Sequence, residues 1–160
     1  MLNCLSGIFI MYMHMKIEQN NFESQELDNY SELIIIPDLT KEEQNIYSSD
    51  IISFYKYAKN QVNLNYAKKP NLFLEQRSAD WFGPTLLFTT AALTQNSELI
   101  SITLNIISNY LTDYFKGHKE PKIKISFITQ QSKTQFTKLD YEGDKEGLKE
   151  FEKILDQFKK

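Results

Sequence analysis

Four residues near the middle of the chain are of types that could serve acid–base chemistry: Glu75, Arg77, Asp80 and Trp81. Two carboxylates near the end of a strand can donate and accept protons, and an aspartate beside a helix start can help to organise a ligand. The structural interpretation, which we favour, is that Asp80 caps a helix, Arg77 pairs with one of the two carboxylates, and Trp81 fills the edge of the core.

The other residues with catalytic or ligand chemistry are few and far apart. A nucleophile needs a base within hydrogen-bond reach, and the single cysteine, Cys4, has only His14 near it in sequence. His118 follows a helix-ending glycine among lysines, which is typical of a solvated loop. One cysteine, two histidines and five scattered glycines do not favour a disulfide, a multi-histidine metal site or a phosphate-binding loop. We therefore expect no catalytic residue, no metal and no cofactor.

The composition is typical of one small folded domain. The 160 residues are 41% hydrophobic and 24% charged, which fits neither a disordered chain nor a polytopic membrane protein. The net charge of −3 argues against a nucleic-acid partner, because such proteins usually carry a strong basic excess. The basic residues concentrate in residues 116–160. That asymmetry can orient a partner or a second copy, although a solvated basic face is the simpler explanation.

The first 31 residues lack the patterns of the rest. Residues 1–15 carry no formal charge, have neither the basic region nor the cleavage site of a secretory signal, and contain too short an apolar run for a membrane span. Met11, Met13 and Met15 are alternative starts. We predict a leader or linker over 1–31, either disordered or a mis-assigned gene start, and a single domain over 32–160. The cytoplasm is the expected compartment.

Hydrophobic periodicity predicts an α+β fold with two layers, in which a small mixed sheet of about four strands packs on helices. Apolar runs and alternation indicate strands over 33–36, 72–74, 122–129 and 137–141. Helical spacing indicates helices over 41–62, 85–93, 98–115 and 145–158. A capping box at Thr40 and Glu43 introduces the first helix. Its apolar face comprises Ile51, Tyr55, Ala58 and Val62. The predicted order is β-α-β-α-α-β-β-α.

The helix over 98–115 is apolar around most of its circumference, with one narrow polar stripe. A surface helix needs only a stripe of apolar residues, so this helix lies at the centre of the fold or forms a contact between two copies. Ile102, Ile106 and Tyr110 occupy successive turns of one face and are our candidates for the centre of such a contact. Membrane contact by the apolar segment 81–115 is less favoured, because each uncharged stretch in it is shorter than a span.

The second half of the chain carries a pattern in which a long apolar helix is followed by the basic stop Lys116-Gly117-His118-Lys119, then by a hairpin over 122–141 and by Glu142-Gly143-Asp144. This pattern resembles the small effector-associated components of bacterial conflict systems, which include anti-phage defence. The resemblance implies an adaptor that brings a sensor and an effector together. It supplies no catalytic residues.

These observations predict a non-catalytic protein-interaction module, an adaptor or effector-associated component, whose partner is another protein, a second copy, or both. One alternative is a small enzyme that acts through Glu75 and Asp80. The other is a membrane-perturbing effector built on residues 81–115.

Overall fold

The computed structural model of this protein describes residues 13–20, 31–37, 39–41, 44–74, 80–116, 122–133 and 135–157. Within these ranges the chain forms nine strands and four helices. The strands are β1 (Met13–Asn20), β2 (Leu33–Ile36), β3 (Leu39–Lys41), β4 (Gln44–Ser48), β5 (Leu64–Tyr66), β6 (Leu72–Leu74), β7 (Trp81–Phe88), β8 (Ile123–Gln130) and β9 (Phe136–Gly143). The helices are α1 (Ser49–Ala58), α2 (Thr90–Gln95), α3 (Leu99–Tyr114) and α4 (Gly147–Gln157).

Six strands form the main sheet, in the order β1-β9-β8-β7-β2-β5. β8 and β9 form an antiparallel hairpin, and β1 pairs antiparallel with β9. β7 runs parallel to β8, and β2 runs parallel to β5. Parallel neighbours need crossover connections, and the chain provides them through α2 and α3 in one case and through α1 in the other.

One face of this sheet carries the main core. All four described helices contribute buried residues to it, among them Phe54 of α1, Leu93 of α2, Ile107 of α3 and Phe151 of α4. Helices on one face of a sheet make a two-layer arrangement. The predicted α+β class is confirmed, and the mixed sheet is larger than the four strands that we expected.

The opposite face of the main sheet divides into an apolar part and a charged part. Ile34, Leu87, Ile128 and Phe136 form a second buried cluster there. The charged part includes one ion pair between β8 and β9 and one within β9. These pairs are Lys124 Nζ with Glu142 Oε1 at 3.9 Å and Lys138 Nζ with Asp140 Oδ1 at 3.7 Å.

The predicted helix over 41–62 is wrong in its first part. β3 and β4 lie there instead, and they form a three-stranded sheet with β6. The helix begins only at Ser49, where the Ser48 hydroxyl accepts a hydrogen bond from Asp50 N at 3.3 Å. The pairing of β4 with β3 and β6 overrides the helical pattern, because distant strands supply its hydrogen-bond partners. Ile51 and Ala58 are buried as predicted, and Tyr55 and Val62 pack against the core.

The predicted helix over 85–93 is also wrong, because residues 81–88 form the inner strand β7. A short apolar run suits a strand buried on both faces as well as it suits a helix. Pro84 is accommodated where the register with β8 shifts between Phe82 and Thr85, the kind of irregularity at which sheets tolerate proline. The helix that follows is α2, whose first turn is capped by the Thr89 hydroxyl.

The remaining predicted elements are confirmed. α3 spans almost the expected residues, and the hairpin β8–β9 covers the expected alternation. Asp144 Oδ1 accepts a hydrogen bond from Gly147 N at 2.8 Å at the start of α4. Leu148, Phe151 and Leu155 of α4 are fully buried.

The proposed leader over 1–31 lies largely outside the described residues. Within it, residues 13–20 form β1 and pair with β9 from Met13 opposite Gly143 to Asn20 opposite Phe136. The structure therefore differs from the expected leader in this segment. The reason is again tertiary, because β9 supplies a complete partner edge that the sequence of β1 does not reveal.

Candidate interaction site

The chemically most distinctive group of side chains lies where α1, the end of α3 and the start of β7 meet. Spacings of three and four residues place side chains on one face of a helix. α1 contributes Asp50, Phe54 and Tyr57 at such spacings, and α3 contributes Tyr110 and Tyr114. With Trp81, the first residue of β7, these residues form what we call the aromatic cluster. Its members are Asp50, Phe54, Tyr57, Trp81, Tyr110 and Tyr114.

Trp81 forms the buried end of the aromatic cluster and has no exposed surface. Its ring centroid lies 5.7 Å from that of Phe54 at an interplanar angle of 68°, and 5.8 Å from that of Tyr110 at 48°. Phe54 and Tyr110 lie 5.5 Å apart at 80°. Edge-to-face pairs of this kind contribute roughly 0.5–1.5 kcal/mol each beyond their burial, so the three rings hold the two helices against β7.

Tyr114 forms the exposed end of the aromatic cluster. Its ring stacks on Tyr110 at a centroid distance of 5.8 Å and an angle of 28°. Tyr57 contacts the same Tyr110 ring at 5.3 Å. Tyr114 is 38% exposed, whereas Phe54 and Trp81 at the other end of the cluster are buried. A continuous aromatic surface therefore runs from the core to the solvent.

The Asp50 carboxylate joins the three elements of the site. Oδ2 accepts a hydrogen bond from Phe82 N of β7 at 3.0 Å. Oδ1 accepts a longer one, of 3.5 Å, from the Tyr114 hydroxyl at the end of α3. Asp50 also lies in the first turn of α1, where a negative charge is favourable to the helix dipole.

Burial raises the pKa of two phenol groups of the site, those of Tyr110 and Tyr114. The pKa of Tyr110 is raised to about 12 by burial and by the nearby Tyr114 and Asp50, and the Ser53 and Trp81 side chains oppose this rise. The buried indole N–H of Trp81 has no hydrogen-bond partner among the described residues. Burial also raises the pKa of Tyr114. The shifts extend the pH range over which both tyrosines remain uncharged donors or acceptors to above the ordinary pKa of about 10.

Of the four polar-cluster candidates from the sequence, the structure describes Asp80 and Trp81. Asp80 Oδ1 accepts a hydrogen bond from Lys122 N at 3.0 Å, and Trp81 N donates to Lys122 O at 2.9 Å. Asp80 thus ties the start of β7 to the start of β8, and the helix that it was expected to cap is a strand. Trp81 is buried in the main core. Glu75 and Arg77 lie outside the described residues.

The three candidate interface residues of α3 have different environments. Ile106 is 5% exposed and belongs to the core. Ile102 is partly buried and packs against the same core. Tyr110 belongs to the aromatic cluster. Of the three, Tyr110 is the one whose ring stacks on the partly exposed Tyr114.

Sequence reasoning missed Asp50, Tyr57 and Tyr114. The signal for the two tyrosines of α3 was visible, because Tyr110 and Tyr114 are four residues apart on a helix that was predicted correctly. Asp50 and Tyr57 were overlooked because the predicted helix began eight residues too early. The sequence therefore did not place Asp50 in the first turn of that helix.

No group of three or more His, Cys, Asp or Glu side chains in the described ranges is arranged to hold a metal ion. Among the described residues, no helix has the length and apolar character needed to cross a membrane. Comparison with protein families, curated proteins and solved structures finds no match. The geometry of the aromatic cluster is therefore the main structural indication of function.

Proposed function

We propose that this protein is a non-catalytic protein-interaction module whose partner docks on the exposed end of the aromatic cluster. The observation that carries the proposal is the exposure of Tyr114 at the end of a packed aromatic series. Tyrosine is enriched at the centres of protein interfaces, because its ring buries a large area at a low cost in side-chain entropy.

The chemistry around Tyr114 favours a basic side chain of the partner. Asp50 lies within hydrogen-bond range of the Tyr114 hydroxyl, and the neighbouring Asp113 is exposed on the last turn of α3. An arginine or lysine can stack on a tyrosine face and pair with a carboxylate at the same time. We therefore propose that the partner presents an arginine- or lysine-bearing segment.

The biological setting that we propose is the one that the sequence pattern resembles, namely an adaptor of a bacterial conflict system, such as anti-phage defence, acting in the cytoplasm. In that setting the aromatic cluster would be the contact between this module and a sensor or effector.

A displayed peptide library tests the proposal without knowledge of the partner. Peptides are selected on the full chain and then compared for binding to Tyr114→Ser and to Asn109→Ala, a matched control at an exposed position of the same helix. We expect enriched peptides to contain arginine or lysine, and to lose about tenfold or more in affinity for Tyr114→Ser, because central interface tyrosines often contribute more than about 1.4 kcal/mol. Binding should be unchanged for Asn109→Ala. Selected peptides that bind Tyr114→Ser and wild type equally would show that this surface is not the docking site.

A further inference from the structure

β1 is the outermost strand of the main sheet. It pairs with β9 along all of its eight residues, and no described strand lies beyond it. The strand at the other edge, β5, has only three residues. A long edge strand presents a row of N–H and C=O groups that can pair with a further strand.

The neighbouring hydrogen bonds determine which backbone groups of β1 point outward. Gln131 N donates to Gln135 O, so the backbone N–H and C=O groups of the odd-numbered residues of β8 point to β9. Lys122 O accepts from Trp81 N, so those of the even-numbered residues point to β7. Successive residues of an antiparallel ladder alternate in direction. In β9 the odd-numbered residues therefore pair with β8, and the even-numbered residues point to β1. The even-numbered residues of β1 lie opposite the even-numbered residues of β9, so the backbone groups of the odd-numbered residues of β1 point to the free edge. Ile17 is near their midpoint.

The register with β9 also assigns the residues of β1 to faces of the sheet. Residues directly opposite each other in an antiparallel pair lie on the same face. Lys16 is opposite Asp140 and Glu18 is opposite Lys138, so positions 16 and 18 belong to the face that carries the charged pairs. Ile17 is opposite Leu139 and belongs to the face that carries the main core.

We propose that two copies of this chain pair antiparallel through β1 about a two-fold axis at Ile17, which joins the two main sheets into one continuous sheet. In this register the Ile17 residues of the two copies exchange backbone hydrogen bonds. Position 16 of each copy then lies opposite position 18 of the other, so the register matches lysine with glutamate twice. These are non-hydrogen-bonded pairs, in which side chains approach most closely.

Charge complementarity selects this register among its neighbours. An axis moved to position 16 would place lysine opposite lysine, and an axis moved to position 18 would place glutamate opposite glutamate. Like charges directly opposite each other in a sheet are unfavourable. A symmetric contact of identical patches is also the commonest arrangement of soluble homo-oligomers.

Charge reversal on the full-length chain tests the pairing, with sedimentation velocity across the micromolar range as the measurement. We expect a dimer of the wild type. Lys16→Glu and Glu18→Lys should each weaken it by about tenfold to several hundredfold, because two attractive pairs become repulsive. An equimolar mixture of the two variants should form a heterodimer, since each glutamate then faces a lysine of the other copy.

The mixture separates pairing of copies from damage to the fold. Each variant also carries the same sign of charge as its register partner within its own chain, Asp140 for position 16 and Lys138 for position 18, and mixing leaves that pairing unchanged. Ile17→Pro supplies a second test, because its missing N–H belongs to the free edge and not to the ladder with β9. It should be folded by circular dichroism and monomeric. A monomeric wild type, a dimeric Ile17→Pro, or single variants that stay monomeric when mixed would each overturn the proposal.

Discussion

Replacing Gly83 by alanine perturbs the packing on which the aromatic cluster depends. A Cβ atom at this position would lie 2.5 Å from Cζ3 and 2.7 Å from Cη2 of Trp81. The indole has no exposed surface and is held by Phe54 and Tyr110. It cannot yield to the added methyl group without disturbing both helices, so glycine is required here by close approach.

The expected loss of stability follows from this rigidity. Overpacking of a core usually costs roughly 1–3 kcal/mol, and we expect a value in the upper half of that range, about 2–3 kcal/mol, because three rings must move together. For a chain of this size, each kcal/mol lowers Tm by about 2–4 °C. Gly83→Ala should therefore melt roughly 5–10 °C below the wild type.

Urea denaturation followed by circular dichroism measures the loss, with an unchanged slope as the sign that only stability has changed. The matched control is Gly83→Ala in a Trp81→Leu background, where the shorter side chain leaves space for the methyl group. There the alanine should cost under about 1 kcal/mol, which gives a coupling energy of about 1–3 kcal/mol between the two positions. Equal costs in both backgrounds would refute the close-contact argument.

Two further predictions concern the polar groups of the same site. Asp50→Ala should lower the free energy of unfolding by about 2 kcal/mol, because the Phe82 N–H loses its acceptor. Asp50→Asn should lower it less, as measured by thermal denaturation, and equal losses of stability would contradict this role of Asp50. Stability should fall as the pH rises from about 10 to about 12, because a tyrosine in the unfolded chain ionises at its ordinary pKa of about 10, while Tyr110 stays protonated up to about 12 in the folded one. Tyr110→Phe should make that fall smaller in urea titrations at several pH values, although not abolish it, because burial also raises the pKa of Tyr66 and Tyr141. An unchanged profile would exclude Tyr110 as a contributor.

The elements that were predicted correctly have patterns that are complete within themselves. α4 carries Leu148, Phe151 and Leu155 at helical spacing, with Asp144 at its start. β8 and β9 alternate around a short connection, and their burial follows that alternation over 123–127 and 137–143. Local periodicity suffices in such cases, because the apolar face and the chain reversal are both encoded in adjacent residues.

The elements that were predicted wrongly depend on distant partners. The apolar run of β7 fits a helix or a strand, and its place between β2 and β8 decides between them. β4 becomes a strand because β6, more than twenty residues later, pairs with it. Nothing within either segment encodes that partner, so propensity alone could not decide.

The candidate site shows the same division. The sequence by itself singled out Trp81 and Tyr110, but it placed them in two unrelated groups. Their ring centroids lie 5.8 Å apart because α3, which belongs to the crossover from β7 to β8, packs against the first residue of β7. The sequence therefore determined the α+β class, and it singled out two of the six residues of the aromatic cluster. Only the tertiary structure decided which of those residues meet, because side chains far apart in the chain become neighbours through the packing of α1 and α3 on the sheet.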